Sequence, residues 1–186
     1  VSKFYGSSGQ FDGTGDYLGL GTNSDWSLDG DFTMECWMYL NTNQKGIIAT
    51  IGDNKLSNGF TLYAAGASDL RVYGNSEYWF GYGALNGVFA DETWNHFALV
   101  RASGVAKLYF NGADIGKTYS SATTWTGALV VGAEYHNSGY DYHDGYLQDF
   151  RLYKGVAKYT SNFNLPGSTT GVNSFYLPFD GNSPIG

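Results

Sequence analysis

The sequence predicts an all-β chain folded as one domain, and three observations carry that prediction. Apolar and polar residues alternate at period two from end to end, with no convincing helical stretch. Aromatics reach 18%, led by 16 Tyr, beside 27 Gly, a composition that suits half-buried strands joined by tight turns. Asn111-Gly112 lies between two alternating runs and is the strongest two-residue signal for a hairpin whose turn needs positive φ.

The elements follow in chain order. Along Asp31–Leu40 one face takes Phe32, Met34, Cys36, Met38 and Leu40, and the other takes Thr33, Glu35, Trp37 and Tyr39. Further strands are expected at Gly46–Ile51, Gly59–Ala64, Asp69–Tyr73, Trp94–Arg101, Val105–Phe110, Ala128–Gly132, Gly145–Tyr153 and Ser174–Asp180. Val105–Phe110 and Ala113–Lys117 should pair antiparallel across Asn111-Gly112. Many short strands at even spacing mean a sandwich or a barrel.

At 186 residues the chain can bury a real core within one domain. Charged residues are only 15% and Pro only three, which argues against a disordered or linker-rich protein. The net charge of −7 and scattered Lys and Arg disfavour a nucleic-acid partner. The lone Cys36 has no disulfide partner, offers no cysteine zinc site, and reads as a buried apolar thiol. No stretch is long and apolar enough for membrane insertion, and no signal peptide opens the chain. Val1 in place of Met reads as a fragment or a processed form. QFDG at 10–13 is echoed by PFDG at 178–181. Residues 166–186 are thus either a closing edge strand beside the first one or the start of a following repeat.

Four runs together resemble laminin-G-like domains of the concanavalin A-like superfamily. They are FDGTGDYL at 11–18, FTMECWM at 32–38, WNHFALVR at 94–101 followed by LYFNG at 108–112, and GYLQDFRLY at 145–153. The resemblance implies an antiparallel two-sheet jelly-roll β-sandwich. The extension KGVAKYTSNF at 154–163 is similar to a variant found in phage structural proteins and bacterial surface proteins, which implies an extracellular or virion-surface setting.

That fold hosts both lectins and glycan hydrolases, so the site has to decide function. Hydrolase relatives carry an E-x-D-x-x-E strand, because retaining cleavage needs two carboxylates about 5–5.5 Å apart. This sequence has no such run. Its acidic pairs Asp29/Asp31, Asp91/Glu92 and Asp141/Asp144 fall at turns or in a loop, and Glu35 has no acidic partner along its strand. The expectation is therefore no enzyme.

Sugars are held by flat aromatic rings and by directed polar groups. Residues 73–82 and 134–144 offer both, and they nominate Trp79, Tyr82, Tyr135, His136, Asn137, Tyr140, Tyr142 and His143 as ligand-binding residues. A solvated loop whose rings merely cover the sheet is the competing reading. The chain also resembles pentraxins, which implies a Ca²⁺ site at Asp53, Asn54, Glu134 and Asp144, although Tyr135 and His136 stand where oxygen ligands belong. Asp12, Asp16 and Asp180 form an alternative rim site. His136 and His143 lack the ligand count for zinc, and His96 reads as a hydrogen-bonded structural residue. The expected function is a glycan-binding adhesion module for a cell-surface glycan or polysaccharide, on a phage fibre or bacterial surface. A spacer domain that contacts neighbouring domains of a larger fibre is the alternative, and a hydrolase the third.

Overall fold

A computed structural model of the chain describes residues 1–4, 6–42, 44–56, 58–66, 69–83, 87, 90–136, 139–165 and 175–177, the last three and 135, 136 and 139 by their backbone alone. The strands are β1 (Gly9–Asp12), β2 (Leu18–Thr22), β3 (Phe32–Leu40), β4 (Lys45–Ile51), β5 (Phe60–Ala65), β6 (Leu70–Gly74), β7 (Glu77–Tyr78) and β8 (Trp94–Ala102). They continue with β9 (Val105–Phe110), β10 (Ala113–Ser120), β11 (Ala128–Val131), β12 (Ala133–His136), β13 (Gly139–Tyr142), β14 (Asp144–Lys154) and β15 (Phe175–Leu177). The helical content among the described residues is one 3-10 turn, Ser24–Trp26.

Two antiparallel sheets form the sandwich. One runs β1-β14-β3-β8-β9-β10, with β15 also paired to β14, and the other runs β2-β11-β4-β5-β6-β7. The inward set expected on β3 is fully buried between them, together with Phe60, Leu62, Phe97, Leu99, Trp125 and Phe150. Burying this apolar surface is the main driving force of the fold. Cys36 lies within this core, and burial pushes its thiol pKa up.

The hairpins follow local chemistry. Asn111 and Gly112 have φ of 47° and 82°, the positive pair of a type I′ turn, and Ser103-Gly104 makes the equivalent turn between β8 and β9 at 50° and 80°. Arg101, which ends the WNHFALVR run, is buried and donates to three carbonyl oxygens: Gly30 at 2.7 Å, Thr123 at 2.6 Å and Leu28 at 3.0 Å. Its guanidinium thereby ties β8 to the loops at 23–31 and 121–127.

The outer face of the β14-β3-β8-β9 region is covered too, which strand alternation does not reveal. Thr33, Glu35 and Trp37, expected to point outward, are all buried. Phe4 meets Trp37 edge-on at 5.5 Å, and Lys3 sits 4.4 Å over the same ring. Residues 155–165 form a strap across the rest. Lys158 Nζ and Tyr159 OH donate to the two oxygens of Glu35 at 2.6 and 2.7 Å, and Phe163 N donates to Gly112 O at 2.9 Å. His96 packs beneath it, with Nε2 3.5 Å from Glu35. Of the C-terminal segment, β15 pairs with β14 through Phe150, Arg151 and Leu152; the PFDG run lies outside the described residues.

Candidate functional site

The six-stranded sheet turns its alternate residues outward, away from Leu62, Ala64, Leu70 and Val72 in the core. On β5 and β6 the outward set is Thr61, Tyr63, Arg71 and Tyr73, and the antiparallel register puts Tyr63 opposite Arg71 and Thr61 opposite Tyr73. Tyr78 on β7 then lies opposite Tyr73, with ring centroids 4.9 Å apart.

A second wall comes from β12 and β13, which form a separate two-stranded hairpin laid against β4. Thr50 Oγ1 donates to the Ala133 carbonyl at 3.0 Å and so pins the hairpin to the sheet. With its one hydrogen used there, Thr50 accepts from the Thr61 hydroxyl at 3.0 Å, and Thr61 in turn accepts from Asn54 Nδ2 at 3.0 Å.

Between sheet and hairpin opens a groove of about 560 Å³, lined by Lys45, Lys55, Tyr63, Ala65, Arg71, Tyr73, Ser76, Tyr78, Glu134 and Asp141. Its charges are mixed. Lys45 Nζ bonds Asp141 at 2.6 Å, and Arg71 pairs with Asp69. Burial works against the Arg71 charge but is outweighed by the hydrogen bonds it donates to Asp69 and Tyr63, so its pKa is raised; burial likewise pushes the Tyr63 phenol up. Both remain in their proton-bearing forms, as donors, at neutral pH.

The two stretches singled out from sequence, 73–82 and 134–144, meet at this groove, but through different residues from those nominated. Trp79 is a correction. It is buried in the core, its ring 4.7 Å from Tyr119 and 5.0 Å from both Phe60 and Trp125, and its indole N–H donates to Gly74 O. Large, flat and next to the sandwich edge, it packs into the core there rather than lining the groove. His143 is the second correction. It is wholly enclosed, edge-on to Phe11 at 5.6 Å, and burial lowers its pKa to about 4.

Tyr82 is exposed beside the groove. Tyr140 and Tyr142 point from β13 away from Asp141, on the opposite face of the hairpin, where they stack on each other at 5.7 Å, Tyr17 stacks on Tyr140 at 5.5 Å, and Tyr17 lies tilted to Tyr142 at 6.3 Å. The side chains of Tyr135 and His136 and the whole of Asn137 lie outside the described residues. Lys45, Tyr63, Arg71, Tyr73 and Tyr78 were not nominated. Their signal was the outward half of each alternation, which names a face but not its neighbours.

Of the four expected calcium ligands, Asn54 and Glu134 meet, while Asp53 and Asp144 are bonded elsewhere. Asn54 is buried, and its amide nitrogen donates to Glu134 Oε1, leaving Asn54 Oδ1 without a hydrogen-bond partner. Asp53 instead accepts from the Lys55 backbone N–H at 2.9 Å within its own turn, and Asp144 accepts from Asn41 Nδ2 at 2.6 Å. Among the described residues no group of three or more His, Cys, Asp or Glu is placed to hold a metal ion. Asn54 and Glu134 alone fall short of the six to eight oxygens that calcium takes. Of the rim set, Asp16 Oδ2 accepts from Asp12 N at 3.2 Å, and Asp180 lies outside the described residues.

Two packed antiparallel sheets in this strand order define the class of the concanavalin A-like jelly rolls. The model of the concanavalin A-like lectin/glucanases superfamily (laminin G type) matches residues 12–158, most of the chain, and the protein belongs to that family. No curated protein matches it in sequence. Among solved structures it is similar to a serum-amyloid-P-like (SAP-like) pentraxin of Limulus polyphemus, at 16% identity and TM-score 0.55 over 77% of this chain and 74% of that one. It is similar to domain 4 of AbnA, a GH43 extracellular arabinanase from Geobacillus stearothermophilus in complex with arabinotriose, at 15% identity and TM-score 0.56 over 74% of this chain and 66% of that one. Domains LG4-5 of the mouse laminin α1 chain align at 13% identity and TM-score 0.55, over 94% of this chain and 43% of that one. At these identities the likeness is one of fold.

Proposed function

We propose that the protein is a non-catalytic glycan-binding module and that the groove between the six-stranded sheet and the β12–β13 hairpin is its sugar site. One observation carries this reading. Stretches 73–82 and 134–144, remote in sequence, meet the outward residues of the six-stranded sheet around one groove, whose lining holds three tyrosines, three cations, a serine and two carboxylates. Rings for apolar sugar faces and polar groups of both kinds for hydroxyls are the chemistry carbohydrate recognition needs. The arabinotriose complex of a similar domain supports the same ligand class.

The test is a glycan-array screen of the whole chain, run with calcium and again with chelator. Retention of at least one glycan, weakened about fivefold by Tyr73→Ala or Tyr78→Ala, is the expected result, since an aromatic contact contributes about 1 kcal/mol. A silent array removes the reading. Calcium dependence enters through Asn54, whose Oδ1 lacks a partner, and Glu134 beside it. A metal held there would raise the melting temperature by linkage, so an unmoved curve excludes it. The phage-fibre or bacterial-surface setting rests on the 154–163 extension alone.

One observation favours a second reading. Glu134 and Asp141 are cross-strand partners, and both line the groove, so a carboxylate pair does face it. Glycoside hydrolysis requires one member to be protonated as the acid. Here Lys45 pairs with Asp141, and the Asn54 amide donates to Glu134, so each carboxylate already has a partner within the chain. New reducing ends appearing on incubation with a retained glycan would establish the hydrolase reading.

A further inference from the structure

We infer that Tyr82 is a stacking platform beside the groove, built to take the apolar face of a neutral or acidic pyranose and to reject a cationic one. The inference rests on the glycan-binding reading and adds to it a subsite and a charge preference. Tyr82 is 71% exposed, the highest value among the large apolar side chains described. An exposed tyrosine is ordinarily mobile, but this one is held. The Arg71 guanidinium lies over its ring, 4.3 Å from the centroid, and Tyr78 packs edge-on at 5.1 Å and 74°. Arg71 is in turn anchored by Asp69 and only 15% exposed. Both neighbours also line the groove, so a saccharide seated there reaches Tyr82 without a break.

A ring fixed on one face and open on the other is a preorganised surface, so little ordering cost remains when a sugar stacks on it. Its charge preference follows from the same contact. Cations bind aromatic faces through the ring quadrupole. With Arg71 already on one face, a second cation on the other meets both a depleted ring and a like charge a few ångströms away. A pyranose C–H face bears no such penalty, and a uronate gains from the nearby guanidinium.

Saturation-transfer NMR on the whole chain tests this with methyl β-D-glucopyranoside, methyl β-D-galactopyranoside, D-galacturonate and D-glucosamine at neutral pH, using Tyr82→Ala, Tyr82→Phe and Tyr73→Ala variants. Expected is transfer to the ring C–H protons of a neutral sugar or the uronate, with affinity falling severalfold in Tyr82→Ala and kept in Tyr82→Phe, and weaker binding of glucosamine. Unchanged binding in Tyr82→Ala alongside a loss in Tyr73→Ala would show that Tyr82 only shields Arg71; the platform then falls and the groove stands. Glucosamine bound as well as the neutral glucoside overturns the charge preference. If none of the sugars receives saturation from the parent, the platform falls together with the glycan reading.

Discussion

Replacing Glu35 by Gln keeps the shape of a buried side chain and removes its charge. The carboxylate is 1% exposed and takes Lys158 Nζ at 2.6 Å, Tyr159 OH at 2.7 Å, His96 Nε2 at 3.5 Å and Arg151 Nη1 at 3.6 Å. Burial would push its pKa up, but hydrogen bonding and charge from His96 and Lys158 outweigh it and bring the value from 4.5 down to about 2. His96 is itself pushed down by burial, so at neutral pH the lasting positive partners are Lys158 and Arg151. A depression of that size corresponds to roughly 3 kcal/mol, present above the unfolded pKa and lost as pH falls from about 5 through about 2. Glu35→Gln should therefore lose up to roughly 3 kcal/mol at pH 7, the share that a charged His96 supplies being absent there, a fall in melting temperature of up to about 10 °C for a domain of this size. The assay is urea unfolding of parent and variant at neutral pH and again near the lower end of that window. The gap must shrink as the parent's own carboxylate takes up its proton. A variant as stable as the parent at neutral pH, or a gap that persists undiminished into acid, refutes the argument.

Other substitutions probe the remaining contacts. His143, whose pKa burial lowers from 6.5 to about 4, binds protons more readily unfolded than folded, so the parent loses stability as pH falls through that interval. His143→Leu should match the parent at neutral pH and exceed it by roughly 2–3 kcal/mol near pH 4 in the same unfolding assay. Gly112→Ala places a side chain at φ 82° and drives its Cβ into the Phe163 carbonyl. It should cost about 1–3 kcal/mol and speed proteolysis of the 155–165 strap. Trp79→Ala should cost about 3–5 kcal/mol as a cavity in the core, read as a lowered denaturation midpoint.

How much was legible in the sequence differs from element to element. β9 was delimited to the residue, because alternation and the Asn111-Gly112 turn are local properties of the chain. The β12–β13 hairpin was read as a loop. Its residues are polar on both faces, and its strand pairing becomes apparent only when it lies on β4. Glu35 gave no hint of its importance, since its partner Lys158 is 123 residues away. Trp79 and His143 looked like binding residues because aromatic and imidazole groups near glycines resemble a site, and composition does not tell which side of a sheet a ring occupies.

The sequence by itself determined the two-faced strands, the buried face of β3, the positive-φ turn and membership in the fold family. Each depends on period-two alternation or on residue chemistry within a few positions. The tertiary structure alone decided the groove. Lys45 and Asp141 are 96 residues apart and Asn54 and Glu134 are 80 apart, so their meeting depends on which strands pair and in which register. A one-residue slip of β5 against β6 would leave every local signal in place and dissolve the site.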